Sequence, residues 1–194
     1  MGHWTSLSLA ILIASAPAYI SPVLAQDTLA TYHVRPENRF EQVLLTKSMI
    51  EGLLSQIVAY SKNSATFGQS MMELERKETG QWDKMVKRTA LIKHETETVV
   101  RIAKAAGFDT PKTFQAALIT LHVTMDAASL KSAATLTIPN VMALRAEGNL
   151  LTGFAIANLE RLISAAQQGA LPDNIATALP YKDAYTAIIA RPNP

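Results

Sequence analysis

Residues Pro111 to Thr137 are apolar on nearly every side when wound at about 3.6 residues per turn, which is the pattern of a helix buried all round. Phe114, Leu118, Leu121, Met125 and Ala128 form one stripe. Ile119, Val123, Ala127 and Leu130 form another about half a turn away. A helix with two apolar stripes needs cover on both faces, so it has to lie between other elements. That requirement predicts an all-α fold: an antiparallel bundle of four to five helices with a central buried helix at about 111–137. The alternative is a pair of helical hairpins that completes its core by dimerisation.

The flanking sequence supplies the neighbours. Pro36 suits the first turn of a helix running to about Lys62, with Val43, Ile50, Leu54 and Ile57 along its buried face. Asn63 and Ser64 are placed to end it and to cap a second segment over 65–79, either separate or continuous with the next. A third helix is expected from Gln81 to Ala106, with Met85, Ile92, Val99 and Ala103 inward and Trp82 near its start. Gly107 closes it and Phe108 folds back onto its last turns. Thr110 caps the central helix and Pro111 takes its first position, so the connection is short and the two neighbours are antiparallel. Ile138 before Pro139 predicts the end of the central helix near Thr137. Another helix follows over 140–168, its core stripe running from Val141 and Leu144 to Leu162 and Ala166, with Gly148 a site of close approach or bending and Gly169 the stop. Beyond Pro172 the sequence predicts a short helical turn and a last segment carrying Tyr181, Tyr185, Ile188 and Ile189 across the bundle.

Met1 to Ala25 contains no Asp, Glu, Lys or Arg, and its apolar run has the length of a signal-peptide core. Val23-Leu24-Ala25 sets small side chains where a signal peptidase inspects them, which predicts cleavage after Ala25 and a single helical domain over 26–194. An uncleaved anchor is the alternative, disfavoured by Pro17 and Pro22. The chain has no Cys, so packing alone must hold an exported fold, a usage that points to the periplasm or to secretion. The net charge is +2 and the cations are spread along the chain, so no phosphate-tracking surface and no nucleic-acid partner are expected. No stable membrane span is expected after cleavage.

Between the two stripes of the central helix runs a narrow polar line of Gln115, His122, Asp126 and Ser129. His122 and Asp126 are four apart, so the carboxylate is placed to orient the imidazole. That is half of a metal or catalytic site, and a buried hydrogen-bonded pair explains it as economically. His94-Glu95-Thr96-Glu97 lacks the second His of a zinc-protease helix and reads as a solvated face, with Glu97 and Arg101 at ion-pair spacing. Met49, Met71, Met72, Met85, Met125 and Met142 read as core filling rather than as a Cu(I) site. Leu150, Phe154 and Ala157, near Arg161, form a second apolar surface on the helix at 140–168, a candidate partner face.

No phosphate loop, Cys nucleophile or Gly-x-Ser-x-Gly elbow is present in residues 26–194. The leading expectation is therefore an exported helical protein without catalytic residues, cofactor or metal, which binds a protein partner or a second copy of itself, or assists an envelope process. The alternative is a bundle whose interior holds a small apolar ligand or a metal beside His122 and Asp126, with Gln115 and Ser129 adjoining. An enzyme acting through that pair is the third.

Overall fold

The computed structural model describes residues 28–77, 80–147 and 150–190. Every regular element among them is helical: α1 (Lys47–Lys77), α2 (Gln81–Ala105), α3 (Pro111–Met125), α4 (Ala127–Glu147), α5 (Leu150–Gln168), α6 (Pro172–Ala178) and α7 (Lys182–Ile189), with 3-10 turns at Pro36–Asn38 and Leu179–Tyr181. The signal segment expected at residues 1–25 and Gly148 lie outside the described residues.

Two long hairpins make the frame, α1 with α2 and α4 with α5, and α3 lies between them. Each apolar stripe of α3 meets one hairpin. Phe114, Ala117, Leu118 and Leu121 join Ile50, Leu53, Ile57 and Tyr60 of α1 and Val99, Ile102 and Ala103 of α2, while Met125 packs at the edge. On the other side Ile119 and Val123 join Leu130, Ala134, Ile138 and Val141 of α4 and Ile156, Leu162, Ile163 and Ala166 of α5. Phe114 stands edge-on to both Tyr60 and Phe108 at centroid distances of 5.3 and 5.6 Å. The turn between α2 and α3 is built as its sequence predicts. Gly107 has φ +82, its N–H reaches the Lys104 carbonyl, the Phe108 N–H reaches the Ala103 carbonyl, and Thr110 accepts from the Thr113 N–H.

Several boundaries differ from expectation, each for a physical reason. The central helix of 111–137 is two helices, because Asp126 leaves helical geometry (φ −146, ψ 60) and turns its carboxylate onto the Ser129 N–H as the cap of α4. α4 then runs straight through Pro139. Ile138 and Val141 on either side of the proline are buried against α5, so packing along the α4/α5 hairpin outweighs the pre-proline preference. The exposed ring of Pro139 faces solvent, where a helix tolerates a lost hydrogen bond. Asn63 and Ser64 end nothing, since α1 is continuous to Lys77.

The first helix does not begin at Pro36. After the 3-10 turn, residues 39–46 are irregular and their backbone is bonded by side chains: Ser164 accepts from the Phe40 N–H, Gln168 donates to the Phe40 carbonyl, and Thr120 accepts from the Val43 N–H. Buried Asn174 of α6 then takes both the Leu45 N–H (2.8 Å) and the Val43 carbonyl (3.0 Å), as a neighbouring strand would.

The α1/α2 hairpin has one register along its length. A Cβ built on Gly52 would lie 2.1 Å from the Ala106 carbonyl oxygen, so the backbones touch there, and eleven residues further out Asn63 donates to Glu95 at 2.5 Å. Both pairs are positions that sum to about 158, which sets Met72 level with Val86 in an antiparallel pair. No member of either core cluster lies on α1 beyond Tyr60 or on α2 before Val99. The outer 13 residues of α1, 65–77, extend about 20 Å at about 1.5 Å per residue. This outer part, residues 64–94, is a two-helix arm.

Candidate functional site

The polar line of the central helix is taken apart by the break at Asp126. His122 Nδ1 lies 2.5 Å from the Tyr185 hydroxyl of α7, with the rings edge-on at 5.7 Å. Burial pushes the imidazole down to about 4 against a smaller upward pull from Asp126, so the ring is neutral at pH 7 and shares one hydrogen bond with the phenol, whose direction follows the tautomer. Burial and the charge of Asp126 push the Tyr185 phenol up, which keeps its proton in place. Asp126 itself caps α4 rather than orienting the ring. Gln115 donates to the Tyr60 hydroxyl at 3.4 Å, and Ser129 is exposed. The structure thus gathers His122, Asp126 and Tyr185, sets Gln115 apart on Tyr60, and leaves Ser129 touching the group only through its backbone N–H on Asp126.

A larger polar centre lies on α5. Glu160 is fully buried, and its two oxygens receive four donors: Tyr32 (3.2 Å) and Arg145 on Oε1, Arg35 (3.1 Å) and Asn38 (2.6 Å) on Oε2. The Arg145 guanidinium also covers the Tyr32 ring at 5.2 Å. Burial works to raise the carboxyl's pKa, but the donated bonds and the Arg145 charge outweigh it and hold Glu160 below the usual carboxylate range. The carboxylate has no proton to give and no lone pair to spare. It ties the amino-terminal segment to α4 and α5. One sequence signal marked it: Glu160 lies at helical spacing between Ile156 and Ile163, a lone acid on an apolar face. Its partners Tyr32, Arg35, Asn38 and Arg145 come from distant sequence and carried no such mark.

A second buried acid, Glu95, receives Asn63 on Oε2, while its Oε1 has no protein hydrogen-bond partner. His94 and Glu97 are exposed, and Arg101 donates to the Thr98 hydroxyl at 3.3 Å. Among the described residues no three His, Asp or Glu side chains are grouped to hold a metal ion. The methionines divide: Met49 and Met125 pack on the core, but Met72, Met85 and Met142 are exposed. The side chains of Leu150 and Phe154 lie outside the described residues. Ala157 and Arg161 are half-buried, and Arg161 is engaged within the protein.

One position that sequence periodicity misassigned is on the arm. Met85 was expected inward with Ile92; Ile92 is half-buried, but Met85 is 49% exposed, beside Trp82 at 71% and Val86 at 51%, with Met72 of α1 at 65%. With about 100° per residue, Trp82, Met85, Val86 and Thr89 share an arc of about 100° facing solvent. The half-buried or buried positions over this stretch are Lys84, Arg88, Leu91, Ile92 and Glu95. On the outer half of α2 the inward side is thus mixed, Lys84 and Arg88 with Leu91 and Ile92, while a tryptophan, a methionine and a valine stand outward among exposed Asp83, Lys87 and Lys93.

The chain matches no known family model, no curated protein and no solved structure.

Proposed function

We propose that this is an exported, non-enzymatic helical protein of the cell envelope, which acts by binding through the arm formed by the outer halves of α1 and α2. The observation that carries the proposal is the exposed apolar strip on the outer half of α2. Trp82, Met85 and Val86 stand on the outside beside exposed Lys87 and Lys93, leaving a contiguous apolar strip open to solvent. The buried ionisable groups fit the same reading. Glu160 is saturated by four donors and His122 is occupied by Tyr185, so each holds elements together rather than facing a reactant. The apolar-leading segment 1–25 and the absence of Cys support export to the periplasm.

The test is fractionation of cells producing the native chain or a variant with Trp82→Ser, Met85→Ser and Val86→Ser. Wild type should be retained in a sedimenting fraction, whether membrane or assembly, and the variant should be released as free protein with its melting behaviour intact. Equal retention of both would place the binding surface elsewhere.

A further inference from the structure

The binding reading leaves the occupant of the arm open, and its charge narrows the choice. From Lys84 to His94 the chain has four cations, Lys84, Lys87, Arg88 and Lys93, and no acid. Over the whole arm, residues 64–94, six Lys and Arg face four acids, and those acids all fall at the turn end, between Glu73 and Asp83. The cations from Lys84 to Lys93 flank the outward strip of Trp82, Met85 and Val86 together with one exposed acid, Asp83; Lys84, Lys87 and Arg88 are also engaged within the protein, and Lys87 and Lys93 are exposed beside the strip.

We propose that the surface covering this strip is a layer of anionic lipid headgroups. An interfacial helix sets Trp and aliphatic side chains into the headgroup boundary and keeps Lys and Arg where phosphates lie. Trp82 supplies the amphipathic ring that prefers that boundary, and Met85 and Val86 supply shallow apolar contact. No described helix is long and apolar enough to cross a membrane, so the contact is a surface one.

The inference rests on the arm being the binding surface, and its test is separable from that reading. The chain has two tryptophans, so Trp4→Phe leaves Trp82 as the sole emitter in the full chain. On titration with phosphatidylglycerol vesicles its emission should shift to the blue and become shielded from acrylamide, with little change on pure phosphatidylcholine. Flotation with the anionic vesicles should weaken at least tenfold in the Trp82→Ser, Met85→Ser, Val86→Ser variant, and weaken with added salt. Unchanged Trp82 emission on anionic vesicles overturns the proposal, even where the apolar segment 1–25 carries the chain onto lipid. Equal response to both lipids overturns it too. Arm-dependent retention in cells combined with no vesicle response assigns the arm to a protein partner, and arm-dependent self-association assigns it to a second copy.

Discussion

The Tyr185 hydroxyl and Nδ1 of His122 stand 2.5 Å apart across 63 residues of sequence, and the contact fastens α7 to the middle of the protein. It forms with a neutral ring. Because burial lowers the folded-state pKa of His122 to about 4, the unfolded chain binds a proton first on acidification. The stability from this neutral ring is fully present above about 6.5 and is lost as the pH falls from there to about 4, up to about 3 kcal/mol. Denaturant melts across that window should show the loss in wild type and a flatter profile in His122→Asn. A profile that His122→Asn leaves unchanged would mean that the ring titrates normally.

Glu160 acts in the same direction at lower pH. Its folded-state pKa is depressed, so its contribution is present above the usual carboxyl range and fades on acidification below it. Glu160→Gln removes the charge between two guanidiniums and turns an amide donor toward other donors. Arg35 and Arg145 are partly open to solvent, which softens the penalty, and the expected loss is about 2–4 kcal/mol. Chemical denaturation at pH 7 measures it, and a loss under about 1 kcal/mol would show that the cluster contributes little.

Two glycines in helices should respond oppositely to alanine. At Gly52 the new Cβ meets the Ala106 carbonyl at 2.1 Å, and backbone cannot step aside, so Gly52→Ala should destabilise by more than about 2 kcal/mol. At Gly153 nothing lies within 4 Å, and Gly153→Ala should stabilise by about 0.5–1 kcal/mol through helix propensity. Equal effects at the two sites would contradict the close approach of α1 and α2.

The two-faced character of α3 was legible because Phe114, Leu118 and Leu121 on one side and Ile119 and Val123 on the other repeat with the helical period. The Gly107-Phe108 turn was legible because only local geometry is involved. What periodicity could not see was tertiary. Asp126 looked like part of a polar line because its capping role depends on where the helix breaks. Pro139 looked like a stop because the burial of Ile138 and Val141 is invisible from their own sequence. Met85 shares a seven-residue spacing with Ile92 and Val99, but the hairpin's close contact at Gly52 and Ala106 and its pairing at Asn63 and Glu95 rotate that position outward. Asn174 and Glu160 act over more than 120 residues, and no local pattern announces such a partner.

Leu121 is wholly buried against both long helices of the first hairpin, and Leu121→Ala should cost about 2–5 kcal/mol in a denaturant melt. A loss below about 1 kcal/mol would mean that the core lies elsewhere.

The division between core and binding surface is tested most directly by the stability of the Trp82→Ser, Met85→Ser, Val86→Ser variant in purified, lipid-free form. If the outward strip of α2 faces only solvent, three large apolar side chains can be removed for less than about 1.5 kcal/mol in total, with the hydrodynamic size unchanged. A loss above about 3 kcal/mol would show that the strip is core and not a free binding face.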